Sequence, residues 1–207
     1  ANAENEAFLT QDGPSSGTAN QGPFIGIFAD GDLLKVTDSP AGAGEADMGD
    51  VLSYANLVAL QNGLKSTAMG RASWIMHPTV WAEVAKLSSG ITNDVTPLLG
   101  PITGQLSALS AGFEKTLLGR PVYLSDSAPA WSNSATTSDT AFIAYGDWAT
   151  CCVMGDRQQI EVEVSDHVYM ATRERALMVS ARVGFLNNLP GSASAGYSAG
   201  VLTTNPS

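Results

Sequence analysis

Cysteine is nearly absent from this chain of 207 residues, and the two cysteines present, Cys151 and Cys152, are adjacent. A disulfide between neighbouring residues would close a strained ring, which argues against one here. No Cys/His spacing suited to zinc occurs either. We therefore interpret the pair as small apolar side chains in or beside a strand. Free thiols of this kind fit a reducing compartment.

Basic residues are also scarce, since ten of them stand against 20 acidic residues and leave a net charge of −10. Nucleic-acid binding needs Lys and Arg to neutralise phosphates, so the balance argues against an ordinary DNA- or RNA-binding protein. A shell around DNA stays compatible, because an acidic or neutral lining would not stick to it. Charged residues make up only 14% of the chain, which suits a surface covered by neighbours and also suits a secreted protein.

Long apolar runs are missing as well. No run approaches the ~18–20 residues needed to cross a membrane, and no basic-then-apolar signal segment opens the chain. Apolar residues nevertheless make up 44% of the sequence, enough for one sizeable domain or two small ones that share a core. Because the chain begins at Ala1 without an initiator Met, we expect it to be processed or cut from something longer.

Hydrophobic spacing predicts two helices and several strands. Apolar residues recur every three or four positions from Asp50, a candidate N-cap, to Lys65, and again from Pro78 to Leu87. Segments of apolar or alternating residues predict strands. They are Ile25–Val36 with a turn at Asp30–Asp32, Ala72–Met76, Pro121–Ser125, Thr140–Tyr145, Ile160–Val164 and Leu177–Phe185.

Other stretches predict irregular structure. Residues 1–24 lack a regular pattern. Residues 88–118 are predicted to form a long surface loop, and residues 128–139 a polar loop. The segment after Pro190 is rich in Gly, Ser and Ala, and alone it should be disordered. The whole pattern predicts a mixed α+β fold.

Short motifs occur in a fixed order between residues 7 and 190. They are Ala7–Thr10 with Asp12 and Gly13, Gly22–Ile27, Trp74–Trp81, Leu117–Val122 with Ser125, Asp126 and Pro129, and Phe142–Trp148 with Asp156 and Arg157. Each is weak alone, but their order resembles that of the major capsid proteins of tailed bacteriophages with the HK97-type fold. Gly119 before Pro121 suits a tight entry into a strand, and Gly146 with Asp147 suits a strand exit with a helix cap.

The resemblance implies an HK97-like capsid fold with two regions. Residues 27–150 would form the A-domain, residues 1–26 and 151–190 part of the P-domain, and residues 191–207 a C-terminal tail. The N-terminal arm, E-loop and spine helix of the family would lie upstream and are not expected in this sequence. The chain would then correspond to the C-terminal part of a subunit.

The same resemblance implies a structural function without catalysis. The chain would be a major capsid subunit that forms hexamers and pentamers of an icosahedral phage head, assembled in the host cytoplasm and present in the virion. Partners would be further copies of itself, with scaffold, portal or decoration proteins, around DNA that is enclosed without sequence-specific binding. We expect intersubunit contacts at residues 90–115 and at 128–138, where Trp131 would be exposed.

Two sets of charged residues, a pair of acids and three arginines, have structural explanations. Glu161 and Glu163 would lie on one strand face and could serve acid–base chemistry, although a solvated strand edge or a subunit contact suits them better. Arg173, Arg175 and Arg182 could hold a phosphate, but salt bridges to these acids or to a neighbour are favoured.

Isolated polar residues give no further site. His77 and His167 are far apart in the sequence and read as structural residues, and Asp30, Asp32 and Asp38 lack the spacing of an EF-hand. We therefore predict no catalytic, cofactor or metal residues. Two alternatives stay open: an encapsulin-like nanocompartment shell, and a small acidic hydrolase or binding domain using Glu161 or His167.

Overall fold

The computed structural model of the chain describes residues 2–14, 22–37, 47–87, 115–133, 140–165, 175–187 and 191–204. Six α-helices are found in these residues, together with a 3-10 turn at Ile27–Ala29. The helices are α1 (Asn2–Thr10), α2 (Met48–Val51), α3 (Tyr54–Asn62), α4 (Ser66–Met69), α5 (Pro78–Val84) and α6 (Trp148–Cys151). The strands are β1 (Leu34–Val36), β2 (Ser73–Met76), β3 (Thr116–Leu117), β4 (Arg120–Leu124), β5 (Ala141–Gly146), β6 (Cys152–Ser165), β7 (Ala176–Asn187), β8 (Gly191–Ser192), β9 (Gly196–Tyr197) and β10 (Ala199–Thr203).

A mixed sheet of six strands organises the body of the molecule in the order β1-β10-β5-β2-β4-β3. The pairs β1–β10 and β2–β4 are parallel, and the other neighbours are antiparallel. Every residue of the central strands β5 and β10 is buried. Burial without alternation requires cover on both faces of a sheet, and it confirms the predicted mixed α+β fold.

The two faces of the sheet carry two apolar clusters. Trp74 and Met76 of β2 belong to the cluster that includes α2, α3 and α5. Ile75, between them, packs against the cluster formed by α1, the 3-10 turn and α6. Successive side chains of a strand point to opposite faces, so one strand contributes to both layers.

The helix predicted from Asp50 to Lys65 is not continuous, because the structure divides this segment into α2 and α3. Asp47, not Asp50, caps α2, and its carboxylate accepts a hydrogen bond from Asp50 N at 3.0 Å. The chain is extended at Ser53, whose Oγ accepts from Asn56 N at 3.2 Å and starts α3. A serine that caps a new helix competes with continuing the old one.

Most of the apolar residues that recur every three or four positions through this segment face the core. Val51, Leu57, Leu60 and Leu64 are buried, whereas Tyr54 is exposed. The predicted strand and helix around His77 are confirmed, although α5 ends at Val84 and not at Leu87. The strands predicted near residues 121, 140, 160 and 177 are also confirmed, as β4, β5, β6 and β7.

Two segments predicted to be irregular are ordered. Residues 2–10 form α1, in which Ala7 and Leu9 are buried. Residues 191–204, predicted to be disordered if alone, are ordered in the structure because β10 lies between β1 and β5. Small residues let this segment enter the sheet: a Cβ on Gly200 would lie only 2.9 Å from the carbonyl oxygen of Leu34.

Candidate assembly surface

The strands β6 and β7 form a long antiparallel hairpin outside the six-stranded sheet. Their register runs from Cys152 opposite Asn187 to Ser165 opposite Ala176. Two irregularities insert extra residues on the β6 side, between Asp156 and Glu161. The alternation of β7 is therefore uninterrupted, and its odd-numbered side chains share one face.

An aromatic cluster fixes the base of the hairpin to the body. The ring of Phe185 on β7 lies 5.1 Å from that of Phe8 on α1 and 6.1 Å from that of Phe24. Phe8 and Phe24 are themselves stacked at 5.5 Å. Aromatic pairs at such distances add specific geometry to apolar burial, so the hairpin leaves the body at a defined place.

Polar contacts reinforce the same base. The Nδ2 amide of Asn187 donates to Asp30 Oδ2 at 2.7 Å, and the thiol of Cys152 donates to Asn187 Oδ1 at 3.3 Å. The other oxygen of Asp30 accepts from the backbone N–H of Asp32 at 2.9 Å. The turn at Asp30–Asp32, predicted from sequence, thus holds the end of β7.

A buried carboxylate holds α6, which leads directly into β6. Asp147 Oδ2 accepts hydrogen bonds from Arg71 Nη2 and from Thr150 Oγ1, each at 2.8 Å. Burial alone would raise the pKa of Asp147, but the hydrogen bonds from Arg71 and Thr150 outweigh it and hold the pKa below its ordinary value. The carboxylate therefore stays charged and fixes the chain ahead of the hairpin.

Exposed apolar side chains are concentrated on the hairpin. Of the 12 large apolar residues that are exposed in the described chain, nine belong to β6 or β7. Residues directly opposite each other in an antiparallel pair share a face, and the register places Val162 opposite Val179 and Val164 opposite Leu177. We call the surface formed by Val162, Val164, Leu177, Val179 and Val183 the apolar hairpin face.

The other side of the hairpin carries charged side chains together with the exposed apolar pair Val153 and Leu186. Glu161 is opposite Ser180 and Glu163 is opposite Met178, and Arg182 lies on the same side by the alternation of β7. We call Glu161, Glu163, Met178 and Arg182 the charged hairpin face. All four are exposed, so the predicted placement of the two acids on one strand face is confirmed. The predicted ion pairs of the arginines stay a prediction.

The remaining candidate residues are scattered. His77 caps α5, its Nδ1 accepting from Thr79 N at 3.1 Å, as expected of a structural histidine. Trp131 is half-buried against Phe142, with ring centroids 6.1 Å apart, so its predicted exposure is wrong. His167, Arg173, Asp38, residues 90–114 and residues 134–138 lie outside the described residues.

The two thiols shift each other's pKa in opposite directions, and the hydrogen bond with Cys152 lowers the pKa of Cys151. Cys151 is buried and Cys152 half-buried, and both are free. The Cys151 thiol beside it, together with burial, raises the pKa of Cys152 far above that of an ordinary thiol. The Cys152 thiol is therefore protonated and a poor nucleophile, and Cys151 is fully buried, which agrees with the structural interpretation of the pair.

One cavity of about 260 Å³ lies beside the 3-10 turn, with Asp12, Asp30 and Lys35 in its lining. The two carboxylate oxygens of Asp30 already accept hydrogen bonds within the protein, and Glu161 is not part of this lining. In the part of the chain that the structure describes, no three His, Cys, Asp or Glu side chains could hold a metal ion together. Among the same residues, no helix is long and apolar enough to span a bilayer.

A family model described as the phage capsid family matches residues 1–190 of the sequence. The chain belongs to the phage capsid family. It is therefore a capsid structural protein, and the resemblance read from the motifs is confirmed. The curated proteins contain no match to this capsid chain.

Solved capsid structures share its fold. The capsid of a native GTA particle, described with C5 symmetry, matches with a TM-score of 0.64 and 20% identity, over 99% of this chain and 61% of that one. The capsid of an empty GTA particle matches with a TM-score of 0.63 and 19% identity, over 99% and 62%. A structure of Mycobacterium phage Bobi matches with a TM-score of 0.51 and 15% identity, over 99% and 60%. The capsid chain thus has a partial HK97-like fold and spans about three fifths of the length of these relatives.

Proposed function

We propose that this chain is a major capsid subunit that associates with copies of itself into the hexamers and pentamers of an icosahedral phage head. The apolar hairpin face is the observation that supports this function best. Its side chains are 40% to 65% exposed, although apolar surface of this kind is normally buried against a partner. A capsid shell supplies such partners by repetition, through many modest interfaces summed over closed symmetry.

The charge of the chain suits a shell that encloses DNA and does not suit a protein that binds a specific DNA sequence. With a net charge of −10, the subunit has few cationic side chains to neutralise phosphates. DNA would therefore be enclosed without sequence-specific binding. Scaffold, portal or decoration proteins would be further partners, with assembly in the host cytoplasm and the virion as final location. Residues 27–150 are proposed as the A-domain, and residues 1–26 and 151–190 as part of the P-domain.

Self-association of the purified 207-residue chain tests this function. We expect a mass that rises with concentration in light scattering, and rings or shells in electron microscopy, because exposed apolar surface drives association. The same preparation should show no hydrolase turnover. A chain that stays monomeric at every concentration, or a turnover abolished by Glu161→Gln, would contradict the proposal. Particles of full-length subunits that hold protein cargo in place of DNA would instead support a nanocompartment shell.

A further inference from the structure

His77 lies between the end of β2 and the start of α5, where it is half-buried. It is the N-cap of α5, and the backbone N–H of Thr79 donates to Nδ1 of its ring at 3.1 Å. A ring nitrogen that accepts a hydrogen bond carries no proton of its own. The cap therefore requires that Nδ1 be unprotonated.

The hydroxyl of Thr79 extends this contact to a distant segment of the chain. Thr79 Oγ1 lies 2.7 Å from Nδ1 of His77, and because Nδ1 has no proton, the hydroxyl donates. The same oxygen accepts a hydrogen bond from the backbone N–H of Trp131 at 2.9 Å. We call this chain of hydrogen bonds, from Trp131 N through Thr79 Oγ1 to His77 Nδ1, the histidine clip. It joins α5 to residues 128–133.

The segment that the histidine clip holds also contacts the apolar core. The ring of Trp131 packs edge-on against Phe142 of β5, with centroids 6.1 Å apart. Ser132 N donates to Met48 Sδ at 3.2 Å. A thioether sulfur is a weak acceptor, so the histidine clip gives this segment a stronger polar attachment than Met48 does.

We propose that the histidine clip is a pH-sensitive attachment, which holds residues 128–133 on α5 at neutral pH and loosens them when the ring is protonated. In the imidazolium both ring nitrogens carry a proton, so Nδ1 can no longer accept from Thr79. Two N–H groups would then face each other across 3.1 Å, and the ring has to turn away. The Thr79 hydroxyl would lose the acceptor that orients it beneath Trp131.

The charged groups on the neighbouring elements do not replace the lost bonds. On α5, Glu83 and Lys86 pair with each other at 2.6 Å. Asp47 caps α2 through the N–H of Asp50, and Asp126, ahead of the held segment, is exposed. Among the residues that the structure describes, no carboxylate binds the ring. Protonation therefore removes hydrogen bonds without supplying an ion pair.

The effect has a definite direction with pH. Protonation costs the folded chain the histidine clip, whereas the unfolded chain has no clip to lose. The stabilisation is therefore complete while the ring is neutral, and it is lost as the pH falls from about 7.5 to about 5, the range in which imidazoles ordinarily titrate. Residues 128–133 belong to the stretch predicted to contact other subunits, so mild acid would alter that surface.

Two substitutions of His77 separate the histidine clip from other effects of acid. His77→Asn keeps an N-cap, because asparagine is among the best capping residues, and it does not titrate in this range. His77→Ala has no side-chain acceptor at any pH. We would measure the melting temperature of the 207-residue chain and of both variants at about pH 7.5 and about pH 5.

The unchanged chain should lose about 2–4 °C more on acidification than His77→Asn does, which is the shift expected for one helix cap in a chain of this size. At the higher pH it should resemble His77→Asn, and at the lower pH it should approach His77→Ala. The other groups that titrate are the same in all three proteins, so their effects cancel in this comparison.

Hydrogen exchange at the Trp131 amide tests the attachment itself. After correction for the intrinsic pH dependence of exchange, this amide should exchange several-fold faster at the lower pH in the unchanged chain, and equally at both in His77→Asn. Thr79→Val removes the hydroxyl but leaves the backbone N–H that His77 caps. It should speed exchange at Trp131 at both pH values.

Two results would overturn the inference. If the unchanged chain and His77→Asn lose the same number of degrees on acidification, another group is responsible for the pH dependence. If exchange at Trp131 is the same in all the variants, His77 caps α5 without holding residues 128–133. Both measurements can be made on a monomer, so neither result bears on the proposed self-association.

Discussion

The six-stranded sheet and the β6–β7 hairpin are built from the same kinds of residues but end in opposite environments. Strand β10 is buried along its whole length, whereas Leu177, Met178 and Val179 of β7 are 57% to 65% exposed. Strand β10 has a neighbour at each edge and apolar layers on both faces. The hairpin, within the described residues, has neither. Apolar composition therefore predicts that a strand will be covered, but not whether its own chain provides the cover.

Among the substitutions that test this comparison, Trp74→Ala should cause the largest loss in the free energy of unfolding. Trp74 is fully buried, its ring centroid lies 4.2 Å from that of Tyr145, and its Nε1 donates to the Leu117 carbonyl at 3.0 Å. Removing it should lower the free energy of unfolding by about 3–5 kcal/mol, measured by urea denaturation. Leu177→Ala on the hairpin should change it by less than about 0.5 kcal/mol in monomeric protein. Equal losses would mean that the hairpin is as well covered as the sheet.

A pair of glycines gives the next largest contrast. A Cβ on Gly146 of β5 would lie 2.4 Å from the Cβ of Ala199, whereas a Cβ on Gly155 of β6 would meet nothing within 4 Å. Gly146→Ala should therefore destabilise the chain by about 1–3 kcal/mol through overpacking. Gly155→Ala should be neutral or slightly stabilising, because alanine restricts the unfolded chain. Thermal unfolding of both variants would show the difference, and a tolerated Gly146→Ala would contradict the close approach of β5 and β10.

The third contrast concerns an ion pair whose carboxylate is buried and an ion pair that is exposed. Asp147→Asn removes the charge that Arg71 and Thr150 hydrogen-bond, and it should cost about 1.5–3 kcal/mol at neutral pH. Because the folded-state pKa of Asp147 lies below its unfolded value of about 3.9, this stabilisation is complete above that pH. It is lost as the pH falls further, through the folded-state pKa.

The measurement is urea denaturation of both proteins as a function of pH. The stability gap between the unchanged chain and Asp147→Asn should be constant above about pH 5 and should close below about pH 4. Glu83→Gln, which breaks an exposed pair with Lys86, should cost no more than about 1 kcal/mol. A gap that widens in acid would show that the sign of the Asp147 shift is wrong.

Much of the sheet could be predicted from sequence because its signals are local. The apolar run through β2 and the proline at the start of α5 specify their elements by spacing and backbone geometry alone. The alternation of β7 likewise distinguishes strand from helix. These features involve residues within a few positions of each other, so no knowledge of the remaining chain is needed.

The predictions from sequence fail where residues far apart in the chain determine the structure. The C-terminal segment that contains β10 is too rich in small residues to fold alone. Strand β1, with Leu34, and the antiparallel strand β5 provide its hydrogen bonds and its burial. Ser53 divides a helix that apolar spacing alone would continue. The exposure of the apolar hairpin face could not be predicted either. Alternating apolar residues predict that one face of a strand is buried, but they do not indicate which chain buries it.

The smallest expected effect completes the comparison with the same chemical change on the hairpin. Glu163→Gln replaces a carboxylate with an amide, as Asp147→Asn does, but at an exposed position opposite Met178. A solvated charge gains little from its neighbours, so the free energy of unfolding should move by less than about 0.5 kcal/mol. Urea denaturation beside Asp147→Asn checks this directly. A loss as large as that of Asp147→Asn would require Glu163 to be held by a desolvated partner, and the charged hairpin face would then be a second contact surface instead of a solvated one.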